Sequence, residues 1–180
     1  MIFVSEIHTA PPAEYRTELQ RKVYETLAAL QIPYERVDTD EVITMEDCIA
    51  VNERLDMKMV KTLFLCNRQQ TEFYLFITCG DKPFRAKEFS QALEIARVSF
   101  APAELMQNML GTTIGAATVF SVLLESAAGV KIVFDRDVLR EEYYDCSDGT
   151  TTGYMKVRTN DIFHTFLAHT GRKAQVVRGV

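Results

Sequence analysis

Residues 105–124 form the longest stretch of this chain without a charged side chain, within a sequence in which 25% of residues are charged. A run of about 20 apolar residues is long enough to cross a bilayer. This one is interrupted by Gln107, Asn108, Thr112, Thr113, Thr118 and Ser121, with Gly111 and Gly115 near its middle. A membrane span is therefore excluded. The pattern predicts a short helix stopped at Gly111, a Gly/Thr loop through Thr118, and a buried apolar piece over residues 119–124. An uncharged loop between two core elements, with accessible backbone N–H groups, can line a small neutral binding pocket.

At 180 residues the chain can build one domain with a full core and is short for two, so a single domain over residues 1–180 is expected. Its 47% hydrophobic content is ordinary for a globular protein. The net charge of −5 supplies no global basic field, so contact with nucleic acid has to use a local patch. Cys48, Cys66, Cys79 and Cys146 match no zinc-ligand spacing and read as reduced thiols. The N-terminus lacks a charged region followed by an apolar core of signal length, which points to a cytoplasmic protein.

Tyr15, Leu19, Val23, Leu27 and Leu30 recur at helical spacing after Pro11-Pro12, predicting an amphipathic helix over residues 13–30. Residues 32–37 read as extended, and Thr44 as the cap of a helix over residues 45–55. Residues 59–66 and 73–79 read as the strands of a hairpin. Residues 86–96 are helical in pattern, 98–100 extended, and Pro102 opens a further helix. Strands over 130–134 and 153–158 and a last helix over 160–169, stopped by Gly171, complete the reading. Short strands and helices without a βαβ rhythm indicate the α+β class.

Period two places Lys61 on the face of Leu63 and Leu65, with Thr62 on the other. Such a lysine either snorkels its ammonium into water or holds an anionic group at a pocket rim. Gly111 and Gly115 lack the sequence of a phosphate loop, and Gly111 alone reads as a helix stop. Gly115, followed by Ala116 and Ala117, leaves backbone amides open to a ligand. Residues 145–152 read as a polar turn. Cys146 has no histidine partner, and His164 and His169 are not spaced to share a metal, so neither a cysteine nucleophile nor a metal centre is indicated. Arg172, Lys173 and Arg178 read as a solvated basic tail.

Taken in order, several of these pieces resemble the YbaK and prolyl-tRNA-editing superfamily, most closely its free-standing Ala-tRNA(Pro) deacylases. Ile32-Pro33-Tyr34-Glu35-Arg36-Val37 and Val42-Ile43-Thr44-Met45-Glu46-Asp47 resemble the family's opening strand and helix. Val60-Lys61-Thr62-Leu63-Phe64-Leu65 resembles its Lys-Asn-Leu-Phe-Leu strand, which aligns the family's key lysine with Lys61. Arg97-Val98-Ser99-Phe100-Ala101 resembles a Leu-Ser-Phe-Ala segment, and residues 111–120 lie over the family's Gly-Val-Thr-Pro-Gly-Ser-Val-Thr-Pro-Phe loop. The likeness spans residues 20–171. Three departures from the pattern stand out. Ile114 and Val119 replace both loop prolines, Thr62 replaces an asparagine, and residues 147–152 lack the histidine and asparagine of the family's His-Pro…Asn-Thr turn.

The resemblance implies a mixed, mostly antiparallel sheet or barrel surrounded by helices. It implies hydrolysis of the ester that joins a mischarged amino acid to the terminal adenosine of a tRNA, without cofactor or metal. Lys61 and the Gly115 amide are then the catalytic candidates. Thr44, Thr62, Gly111, Ile114, Ala116, Ala117, Thr118, Phe120, Ser147, Asp148, Thr151 and Thr152 are the expected substrate-binding set. The expected partners are the acceptor end of a mischarged tRNA and prolyl-tRNA synthetase, with no membrane. The departures leave two other readings open: a non-catalytic tRNA- or synthetase-binding relative, and an editor of serine or cysteine.

Overall fold

Thr17 starts the first helix because its hydroxyl accepts the Gln20 amide, while the Gln20 side chain turns back to the Arg16 amide. In the computed structural model, which describes residues 2–180, this helix is α1, Glu18–Ala29. It begins later than the apolar spacing suggests, because Tyr15 lies ahead of the cap and stacks on Tyr24. Next come β1 (Glu35–Asp38) and α2 (Met45–Leu55), the latter opened by a reciprocal capping box between Thr44 and Asp47. The hairpin strands are β2 (Val60–Cys66) and β3 (Phe73–Cys79), paired antiparallel from Val60↔Cys79 to Cys66↔Phe73.

Helix α3 (Ala86–Leu93), strand β4 (Ser99–Phe100) and the short α4 (Ala103–Leu105) follow. The uncharged stretch folds as its composition suggests. A π-helical turn over Met106–Leu110 stops at Gly111 (φ 68°), a loop runs to Thr118, and a buried 3-10 helix spans Val119–Leu123. The chain ends with β5 (Val130–Asp135), α5 (Arg136–Leu139), β6 (Tyr143–Ser147), β7 (Gly153–Arg158), a π-helical turn Asp161–Phe166, α6 (Leu167–Thr170) and β8 (Ala174–Val177).

Two of these strands do not follow from local pattern. The first three residues of the expected polar turn, 145–147, belong to β6, and the expected basic tail carries β8. The strands form two sheets, β1-β7-β6 and β4-β2-β3-β5-β8. Antiparallel pairing dominates, with β5 parallel to both β3 and β8.

The inner faces of the sheets share one core, where Phe64, Ile77, Phe120, Phe134, Tyr144, Met155 and Phe166 meet Val23 and Leu27 of α1. Outside it, α3 covers Leu65, Tyr74 and Phe76, while α2 covers Val37 and Tyr154. The result is a single-domain α+β fold in which the sheets are not closed into a barrel. A lone parallel bridge, Met59↔Asp145, joins the start of β2 to β6. Among the described residues, no helix is long and apolar enough to cross a membrane.

Candidate functional site

Alternation along β2 places Phe64 and Cys66 in the inner core and Leu63 and Leu65 on the outer face, so Lys61 enters on the outer face. Met59 shares that parity and is bridged to Asp145, so Lys61 emerges close to the edge of β6. Its ammonium donates to the carbonyl of Lys82. Thr62 points the other way, where the Tyr144 hydroxyl lies toward it without reaching hydrogen-bond geometry.

The Gly/Thr loop and the 148–152 turn meet at Gly115. A side chain there would touch the Val42 carbonyl at 3.6 Å and Thr151 Cγ2 at 3.9 Å, and its φ of 92° is one that favours glycine. The Val42 amide donates to the Thr151 carbonyl and the Thr39 amide to the Thr152 carbonyl, both at 2.9 Å. The segment leading into Thr44 and α2, the loop, and the turn are thus brought together. Ile114 projects outward, 73% exposed.

The amides of this loop are not all open. Ala116 is buried and its N–H donates to Thr113 O, whereas among the described residues no hydrogen bond is made by the amides of Gly115, Ala117 or Thr118. Thr118 is buried beside the Cys146 thiol, and its hydroxyl accepts the Phe120 amide.

Other expected binding residues turn inward. Phe120 packs edge-on against Phe166 in the core, and Gly111 lies against Leu124 and Leu19. Ser147 closes its own turn, donating to Thr150 O and accepting the Gly149 amide. Asp148 accepts from Gln20 and Tyr24 of α1 and from Thr150. These four side chains or backbones serve packing, because the polar turn is buried under α1. Thr44 is occupied by its helix cap. Thr151 and Thr152 remain half-buried at the loop.

Beneath α2 lies a polar group that local pattern does not reveal. Asp145 is fully buried with neither carboxylate oxygen hydrogen-bonded, and the nearby Tyr154 hydroxyl is likewise unpaired. Burial pushes the Asp145 carboxyl well above its ordinary 3.8, against the pull of Lys156. Only β6 alternation, with Asp145 opposite Lys156, would have signalled it.

The unfolded chain therefore releases this proton before the folded one does. The stability present below about pH 3.8 is lost as pH rises toward the folded value, at about 1.4 kcal/mol per unit of displacement. Asp145→Asn is expected to raise the thermal midpoint at pH 7 and to match the wild type near pH 3. Equal midpoints at pH 7 would contradict this. Burial also holds the Cys146 thiol well above its ordinary value, leaving it protonated and unsuited to nucleophilic attack.

A cleft of about 530 Å³ opens beside Met59 and Tyr143 and is lined by Asp56, Glu141, Glu142, Asp81 and Lys58. Its carboxylates outnumber its cation, so it repels a polyanion. The Gly115 loop is a separate, largely uncharged surface.

Residues 39–164 match the model of the aminoacyl-tRNA editing domain. The chain belongs to the aminoacyl-tRNA editing domain family. Over 123 residues it is 29% identical to the prolyl-tRNA editing protein ProX of Acetoanaerobium sticklandii, covering 68% of this chain and 74% of that relative. Among solved structures it is similar to a candidate trans-editing enzyme for prolyl tRNA synthetase, with a TM-score of 0.63, 17% identity, and coverage of 91% of this chain and 98% of the other. A hypothetical protein of known crystal structure gives a TM-score of 0.65 at 17% identity, covering 87% and 98%. These likenesses show the fold. The editing-domain match includes Lys61, the Gly115 loop and the 148–152 turn, whereas α1, which buries that turn, lies ahead of it.

Proposed function

We propose that this editing domain is a trans-acting aminoacyl-tRNA deacylase that hydrolyses Ala-tRNA(Pro) in the cytoplasm, the whole of residues 1–180 acting as one editing unit. The observation that carries the reading is the family match, which takes in an uncharged loop where, among the described residues, the amides of the accessible Gly115 and Ala117 have no internal acceptor. An aminoacyl ester is already activated. The protein needs to position it, polarise its carbonyl and admit water. The free amides serve as donors to the oxyanion, Lys61 holds the phosphate of the terminal adenosine, and the neighbouring ribose hydroxyl assists the attacking water. No side-chain nucleophile enters this scheme, in keeping with the buried, protonated Cys146.

A hydrophobic pocket discriminates one methylene by only about 1–3 kcal/mol, so a synthetase built for proline also accepts alanine, and a smaller second pocket corrects the error. Gly115 and Ala117, with Thr151 opposite, suit an alanine-sized group, whereas Ala116 is buried and Ile114 points outward. The acceptor end of the tRNA is the partner, and prolyl-tRNA synthetase the enzyme served.

A panel of tRNA(Pro) charged with alanine, serine, cysteine or proline, assayed side by side, tests the specificity. Alanine is expected to be released fastest and proline spared. Faster release of serine or cysteine would transfer the assignment to that residue, and binding without release of any would favour a non-catalytic relative.

A further inference from the structure

The Lys61 ammonium is aimed by a carbonyl, and that carbonyl is itself held in place. Lys82, whose oxygen accepts from Lys61, lies in the turn after β3, where its own amide donates to Cys79 O at 3.0 Å. Its side chain reaches back to two carboxylates, Asp135 at 2.6 Å and Asp137 at 2.8 Å. Asp135 is fully buried at the end of β5 and also accepts from the Thr78 hydroxyl at 2.7 Å. Its second oxygen takes the Asp137 amide at 2.9 Å, capping α5. Thr78 is in turn the cross-strand partner of Lys61. The two groups that flank Lys61, the Thr78 side chain and the Lys82 carbonyl, therefore end on one buried carboxylate.

The geometry points to Asp135 and Lys82 as positioning residues for Lys61: their ion pair fixes the turn whose carbonyl directs the Lys61 ammonium toward its anion. This rests on the reading of Lys61 as the phosphate-holding group. The pair is built to persist. Burial alone would lower the Lys82 ammonium, yet its hydrogen bonds to Asp135 and Asp137 push it up to about 12, so it stays charged across the working pH range. A buried carboxylate paired in this way is costly to leave alone, which ties the turn to the sheet. Without the pair, the Lys82 carbonyl is free to swing and Lys61 loses its fixed direction, although nothing that touches the substrate has been removed.

Steady-state deacylation of Ala-tRNA(Pro) by the full chain separates this role from a structural one. Lys82→Met is expected to raise KM about tenfold with kcat within about threefold, the pattern of a lost binding contact. Lys82→Arg is expected to restore KM to about the wild-type value, because the guanidinium also pairs with both carboxylates. The probe that isolates the contact is the alanyl ester of adenosine without phosphate, which both forms should hydrolyse equally. Equal losses on the phosphate-free ester, or an unchanged KM on the tRNA, would overturn the proposal.

If Lys82→Met fails to fold by circular dichroism, Asp137→Asn on the exposed side of the pair carries the same test with an expected KM rise of about threefold. An unchanged KM there overturns the proposal equally. Lys61→Ala is assayed alongside. Full activity in that variant defeats the phosphate-holding role and this inference with it, whereas a loss there with none in Lys82→Met or Asp137→Asn defeats positioning alone.

Discussion

Asp148→Ala is expected to cost about 3–5 kcal/mol of stability, read as a fall in the urea midpoint with an unchanged slope. Asp148 is 1% exposed and accepts four hydrogen bonds: Gln20 Nε2 at 2.9 Å, Tyr24 Oη at 2.8 Å, and the Thr150 amide and hydroxyl at 3.1 and 2.7 Å. Alanine removes every acceptor and strands several buried donors, each costing about 1–3 kcal/mol. Burial raises the Asp148 carboxyl and these hydrogen bonds oppose the rise, so the loss falls on the network as a whole. The turn also depends on Gly153, where a Cβ would stand 2.2 Å from Asp148 Oδ2. Against a typical domain stability of about 5–15 kcal/mol, the loss is a large share. A variant that melts with the wild type would show that the turn is not anchored to α1 through this residue.

Lys61→Ala is expected to reduce kcat/KM for Ala-tRNA(Pro) by about 10- to 100-fold, chiefly through KM, because a charge-assisted contact to phosphate worth about 1.5–3 kcal/mol is lost. The fold should survive. Lys61 is only half-buried and its single hydrogen bond is to a carbonyl on the partly exposed Lys82 turn, so the stability change should stay near 1 kcal/mol or below. Matched circular dichroism and single-turnover rates of the two proteins check both halves. An active Lys61→Ala would remove the lysine from the mechanism.

How much of this could be read from the chain depended on how local each signal was. The Thr44–Asp47 capping box and the alternation of β2 and β3 are written in adjacent residues, and both elements form where the pattern places them. The outer face of Lys61 followed from the same alternation. Strand β6 was hidden because its end runs into Cys146, Ser147 and Asp148, a composition that normally marks a solvated turn. Here the Asp148 carboxylate is satisfied by Gln20 and Tyr24, more than 100 residues away in the chain. Strand β8 was hidden by the basic residues around it and is held by its pairing with β5.

The start of α1 was set by the Thr17 cap rather than by apolar spacing. A sheet or a barrel was expected, and the sheets stay open: closure depends on how two sheet edges meet, and among the described residues the single bridge Met59↔Asp145 joins them. At the candidate site, the Gly115 loop was legible from its small uncharged residues. The inward commitment of Phe120, Ser147 and Asp148 was not, because it arises from α1 and the core packing over them.

The most direct test of the central claim is the rate at which the purified chain releases alanine from Ala-tRNA(Pro), measured against spontaneous hydrolysis and against Pro-tRNA(Pro). Alanine is expected to be released well above the spontaneous rate while Pro-tRNA(Pro) decays as it does in buffer alone. Alanine release no faster than the spontaneous reaction, with the protein folded and in excess over the tRNA, would contradict that claim.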